Sequence, residues 1–187
     1  MTEETYRSNK VFTLPNILSM VRIALIPLIV WLYHFRDEHL LAAGVLVISG
    51  ITDVVDGFIA RRFHMASSLG KALDPIADKL TQTIMLICLL FRFPLMNLPL
   101  GLMVVKELVS GIWRLIIIRW TKEVKGAEWH GKAATVLLYA MMLLHILWPA
   151  IPTGISAGCI LLCSAMMLLS FALYSRENYR MMKLWRN

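Results

Sequence analysis

A chain of 187 residues that is 58% hydrophobic and only 17% charged is too apolar for an ordinary water-soluble domain. Its formal net charge of +7 sits between apolar blocks and at the termini. That distribution excludes a nucleic-acid-binding face and fits the edges of a membrane. The apolar blocks run to about 20 residues, enough at ~1.5 Å each to cross ~30 Å of hydrocarbon, and they lack the alternation of membrane strands. The expected fold is an all-α integral membrane protein, a single domain over residues 1–187.

In chain order, residues 1–15 come first. Met1 to Lys10 is polar and contains Glu3 and Glu4, with no short apolar region and cleavage site after it, so no removed signal peptide is expected. Tyr6, Val11 and Phe12 interleave with Arg7 and Lys10, as in a helix lying at the interface or a frayed tail. Six spans are predicted: Ile17 to Tyr33, Leu40 to Arg61, Leu73 to Leu90, Leu98 to Ile118, Ala133 to Trp148 and Ile155 to Tyr174. Pro15 and Asn16 suit a helix start, and Pro27 predicts a kink or a lost hydrogen bond in the first span. One set of connecting segments carries Arg7, Lys10, Arg61, Arg62, Lys71, Arg119, Lys122, Lys125, Lys132, Arg176, Arg180, Lys183 and Arg186, whereas the other carries Arg36 and Arg92. The positive-inside rule therefore places both termini and the 62–72 and 119–132 loops in the cytoplasm. Cys88, Cys159 and Cys163 lie within apolar blocks and read as small buried hydrophobes.

The second predicted span does not end as an apolar helix should. Asp53 and Asp56 lie three apart near its cytoplasmic end, on one helical face, and Asp74 and Asp78 lie four apart at the start of the third. The intervening residues are enough for a turn, so two antiparallel helix ends can bring the four carboxylates together. Two like charges ~4 Å apart repel by about 4 kcal/mol at an effective dielectric near 20, so such a cluster calls for cations. Hard divalent ions with oxygen ligands, Mg²⁺ or Mn²⁺, are the natural partners, and a pair of them would clamp a pyrophosphate for in-line displacement. Anchoring of helix ends through Arg61, Arg62, Lys71 and Lys79 is the bland alternative, but four intramembrane acids in two matched pairs exceed what anchoring needs.

The stretch Asp53-x-x-Asp56-Gly57-x-x-Ala60-Arg61, eight residues, Gly70-x-x-x-Asp74-x-x-x-Asp78 resembles the signature of the CDP-alcohol phosphatidyltransferase family at all eight fixed positions. The six-span pattern and the cytoplasmic placement of the motif are similar to that family too. The resemblance implies that Asp53, Asp56, Asp74 and Asp78 bind two metal ions and that Asp78 is also the general base for the acceptor hydroxyl. It further implies that Asp56, Gly57, Ala60, Arg61 and Gly70 bind CDP-diacylglycerol, with the planar fork of Arg61 on phosphate oxygens. CMP would be the leaving group, and a homodimer in a bacterial plasma membrane, its active site facing the cytoplasm, is the matching expectation.

Ala72-Leu73-Asp74-Pro75-Ile76-Ala77-Asp78-Lys79, with Leu14-Pro15-Asn16 and Arg22 upstream, looks like the branch that makes phosphatidylglycerophosphate or cardiolipin. Glycerol 3-phosphate is the preferred acceptor, and phosphatidylglycerol is the rival. Lys106 and Arg114, eight apart on roughly one face of the fourth span, and Lys132 at the start of the fifth are candidates for an acceptor phosphate site. Ordinary ion pairing and snorkelling is their bland reading. Lys106-Glu107 departs from the Arg-Glu often found in phosphatidylglycerophosphate synthases, which replaces a fork by a point charge. A cation transporter is the rival of another class. Against it stand acids near one end of a span, away from the midplane, and no visible repeat.

Overall fold

A computed structural model describes residues 14–62, 68–121 and 129–186, and these are helical apart from short links. The helices are α1 (Leu14–Val30), α2 (His39–Arg62), α3 (Ser68–Leu90), α4 (Asn97–Thr121), α5 (Trp129–Leu147) and α6 (Thr153–Arg186). The interfacial segment expected over residues 1–15 lies outside the described residues except for its last two positions, which already belong to α1. Each helix coincides with one predicted span. The largest differences are α3, which begins five residues earlier than expected, and α6, which runs twelve further. Hydropathy marks the length of helix that lipid favours, and it is blind to polar helical turns added at either end.

Among the described residues, four segments are long and apolar enough to cross a membrane: Asn16–Phe35, Pro94–Trp113, Trp129–Leu147 and Thr153–Glu177. The apolar part of α2 is shorter, His39–Asp53. The polar residues responsible in α2 and α3 are largely those of the motif, Asp53 and Asp56 in one helix and Asp74 and Asp78 in the other.

The chain divides into two compact units, Met1–Cys88 and Leu89–Asn187. In the first, α1 and α2 pack against each other. Pro27 sits inside α1, and the helix continues into a π-helical turn, Trp31–Phe35. A proline cannot donate to the helical ladder, and a shift to wider i→i+5 bonding nearby is one way for a helix to absorb the irregularity. Asp37 then takes a left-handed conformation, φ 52°, which Asp tolerates better than most residues, and the chain reverses into α2. The buried stripe of α1 runs Asn16, Ser19, Arg22, Ile26, Ile29, and that of α2 runs Ala42, Leu46, Ser49. Both are apolar toward the connecting link and polar away from it. α3 repeats the pattern, with Thr81 and Gln82 followed by Met85, Leu86 and Leu89 on its buried side.

In the second unit, α6 packs on both α4 and α5. Two polar clamps tie α5 to α6. His145 donates from Nδ1 to the Met141 carbonyl (2.8 Å) and pairs through Nε2 with Ser156 (2.9 Å), while His130 pairs with Ser170 (3.1 Å). Phe93 meets the His145 ring edge-on, with centroids 4.8 Å apart. The clamps lie 15 residues apart on α5, about 22 Å of helix, so they fix the antiparallel register at both ends. The cysteines are free, with Cys88 and Cys163 buried as expected and Cys159 half-buried.

Candidate active site

The site begins with an arginine in an apolar helix. Arg22 lies in the middle of α1, and only 1% of its side chain is exposed. A guanidinium withdrawn to that degree is tolerated when it is paired and hydrogen-bonded. Its Nη1 donates to Asp53 Oδ1 on α2, and its Nη2 lies 3.6 Å from Asp74 Oδ1 on α3. Ser19, one turn before Arg22, donates to the same Asp74 oxygen at 2.7 Å. Two side chains of α1 thereby gather one carboxylate from each neighbouring helix.

The two carboxylates are less withdrawn than the cation that holds them. Asp53 is 42% exposed and Asp74 36%. Every described contact to them falls on Oδ1, and Oδ2 of each meets no partner among the described contacts. Asp78 sits one turn along α3 from Asp74. Both of its oxygens accept from Gln82 Nε2, each at 2.9 Å, and Lys79 Nζ lies 3.5 Å from Gln82 Oε1. Asp74 and Asp78 both lie within electrostatic range of Asp53. One guanidinium charge neutralises at most one carboxylate, and hard carboxylate oxygens attract cations. Ser49, one turn from Asp53 along α2, is also buried, and its hydroxyl meets no partner among the described residues.

Pro75 follows Asp74 inside α3. It cannot donate a backbone hydrogen bond, so a carbonyl in the first turns of α3 is released from the ladder beside the carboxylates. Thr81 and Thr83 instead turn their hydroxyls back to the carbonyls of Ala77 and Lys79, which satisfies them within the helix.

The residues expected from sequence fall into three groups. Asp53 and Asp74 are brought together, with Asp78 a turn away. Asp56, Gly57, Ala60 and Arg61 lie on the last turns of α2 and Gly70 in the first turn of α3, but their side chains are outside the described residues, as is that of Arg114 on α4. Lys106 is half-buried on α4 and Lys132 exposed on α5, both in the second compact unit. Among the described residues no three His, Cys, Asp or Glu side chains converge as a metal-ligand set. The pair Asp53 and Asp74 converges on Arg22 instead. Sequence reasoning missed Arg22, Ser19 and Gln82 as site residues. A signal was present for the first, because an arginine in the middle of a span is functional by default.

A model of the family described as CDP-alcohol phosphatidyltransferase matches residues 12–175. The chain belongs to the CDP-alcohol phosphatidyltransferase family. It is thus an integral membrane protein of a transferase family, and both halves of the carboxylate motif lie inside the match. A CDP-diacylglycerol--glycerol-3-phosphate 3-phosphatidyltransferase of Rickettsia bellii is 41% identical over 102 residues, 53% of this chain and 56% of that protein. A cardiolipin synthase (CMP-forming) of Homo sapiens is 39% identical over 110 residues, 58% of this chain and 36% of that protein. One from Streptomyces coelicolor is 38% identical over 151 residues, covering 76% and 69% respectively. The chain spans about half the length of the first of these relatives, and about a third of the human one.

Proposed function

We propose that this chain transfers a phosphatidyl group from CDP-diacylglycerol to glycerol 3-phosphate, giving phosphatidylglycerophosphate and CMP in phospholipid biosynthesis. The observation that carries the reading is the meeting of Asp53 and Asp74, one from each half of the family motif, with Oδ2 of each clear of the described protein contacts. The relatives named for this reaction support the acceptor.

Divalent metal is a general requirement of the family. The donor chemistry fits it: hard carboxylate oxygens on Asp53 and Asp74, partly exposed, with Asp78 in electrostatic range. Asp53, Asp56, Asp74 and Asp78 would hold two ions, Mg²⁺ or Mn²⁺. Bound there, the ions would supply charge neutralisation to the pyrophosphate and the departing CMP. Asp78, steadied by Gln82, takes the proton of the acceptor hydroxyl. The hydroxyl oxygen bonds to the phosphorus that carries diacylglycerol, and the bond from that phosphorus to the CMP oxygen breaks. Asp56, Gly57, Ala60, Arg61 and Gly70 bind the CDP-diacylglycerol, and Lys106, Arg114 and Lys132 supply positive charge for the acceptor phosphate.

The same reading makes all six helices spans of one domain, with both termini and the carboxylates at the cytoplasmic side of a bacterial plasma membrane, in a homodimer. The motif acids account for the lower hydropathy of α2 and α3, since a span that lines a site trades lipid affinity for chemistry. Phosphatidylglycerol is the second candidate acceptor, favoured by the broad match to the Streptomyces cardiolipin synthase. Purified protein given CDP-diacylglycerol, Mg²⁺ or Mn²⁺, and labelled glycerol 3-phosphate or phosphatidylglycerol separates the two. Label in phosphatidylglycerophosphate with CMP release supports the first acceptor, label in cardiolipin moves the assignment to the second, and no CMP release with either contradicts the enzyme reading.

A further inference from the structure

We propose that Arg22 is a positioning residue for the metal-binding carboxylates, its guanidinium setting the orientation of Asp53 and Asp74 from the buried side so that their second oxygens converge on the cation. The proposal rests on the metal reading above and goes beyond it by assigning a role to two side chains outside the motif.

Three features of the geometry carry it. Arg22 is 1% exposed while its partners are 42% and 36% exposed, so the guanidinium is the withdrawn member of the group and the carboxylates are the accessible ones. Its Nη1 donates to Asp53 and its Nη2 faces Asp74 as an ion pair at 3.6 Å, and a planar guanidinium fixes the angle between these two nitrogens in a way that an ammonium cannot. Ser19 adds a second donor to the Asp74 oxygen that Arg22 faces, at 2.7 Å, again from α1 and again on Oδ1. Hydrogen bonds of this kind to ligating carboxylates typically govern 10–100-fold in metal affinity.

A bare counter-charge would act in the opposite sense. A cation held beside a metal site repels the metal, so if charge were all that Arg22 contributed, deleting it would tighten binding, and a lysine in its place would change little. If orientation is its contribution, deletion weakens binding, and lysine, which keeps the charge and loses the fork, fails to rescue it.

The test is Mn²⁺ binding without substrate, by calorimetry and by electron paramagnetic resonance of free Mn²⁺, on the purified full chain in detergent. Wild type, Arg22→Met, Arg22→Lys and Ser19→Ala are compared after gel filtration and circular dichroism have shown that each is folded. The expected result is binding weaker by about 10–100-fold in both Arg22 variants and by about 2–10-fold in Ser19→Ala, where one hydrogen bond is lost. CMP release by the Arg22 variants should recover as Mn²⁺ is raised, which a merely structural defect would not do. Equal or tighter binding in Arg22→Met, or wild-type binding in Arg22→Lys, overturns the proposal. Should the Arg22 variants not fold, Ser19→Ala decides alone, and wild-type affinity there overturns it. Absence of Mn²⁺ binding by the wild type contradicts the metal reading itself, a different result from wild-type binding that the variants leave unchanged.

Discussion

Residues 14–88 and 89–186 withdraw polar side chains from solvent in different ways. In the first stretch the buried polar set includes a full charge, Arg22, together with Asn16, Ser19, Ser49, Thr81 and Gln82, and its members crowd toward the polar ends of α1, α2 and α3. In the second stretch the set among the described residues consists of serines and histidines, Ser110, His130, His145, Ser156, Ser164 and Ser170. These are spread along the helices, and the histidines pair with Ser156 and Ser170. A neutral polar pair between two helices fixes their register. A buried cation facing two half-exposed carboxylates leaves acceptor capacity open, and that is what a cation site needs.

The contrast is sharpened most by substitution at a carboxylate. Asp53→Asn should lower CMP release by at least about 100-fold, since it removes a proposed metal ligand and not merely a group behind one. Activity assayed across a Mn²⁺ titration checks this, counted per folded molecule, because Asp53→Asn also takes the counter-charge from the buried Arg22 and should lower stability as well. Gln82→Leu comes next. It frees both Asp78 oxygens from their 2.9 Å partner, and loss of a hydrogen bond to a charged group, worth about 1.5–3 kcal/mol, should lower kcat by about 10–100-fold with little change in KM for CDP-diacylglycerol.

In the second stretch the same kind of deletion should act on stability alone. His145→Ala removes the Ser156 pairing and leaves a cavity beside Phe93, so it should cost about 2–3 kcal/mol. A lower midpoint of thermal unfolding in detergent, with wild-type activity per folded molecule, is the expected pair of readings. The smallest effect is expected at Cys159, which is half-buried and free: Cys159→Ala should move stability by less than about 1 kcal/mol and activity not at all.

Much of this was legible before any coordinates. Each of the six hydropathy blocks falls on a helix among the described residues, because a long continuous apolar run satisfies its backbone most simply as a helix. The motif spacing led to the expectation that Asp53, Asp56, Asp74 and Asp78 gather at facing ends of successive helices, and of these Asp53 and Asp74 meet at Arg22. The residues that hold them did not follow in the same way. Arg22 lies 31 residues from Asp53 and Ser19 lies 55 from Asp74, and no local period encodes a pairing across such distances. Counting Lys and Arg for topology also passes over an arginine that is inside a span and at neither of its ends. The twelve extra residues of α6 were hidden for another reason: Ser175 to Arg186 is polar, and a hydropathy window stops where the lipid signal stops. Gln82 was readable in principle, since i,i+4 from Asp78 places it one turn on along the same face.

The most direct test is metal-dependent CMP release from CDP-diacylglycerol in the presence of glycerol 3-phosphate, measured on wild type, Asp74→Asn and His145→Ala at equal amounts of folded protein. EDTA is expected to silence the wild type and Mn²⁺ to restore it, Asp74→Asn to fall by at least about 100-fold, and His145→Ala to stay within about twofold. Release that ignores EDTA, or that survives Asp74→Asn at the wild-type rate, would contradict the metal reading.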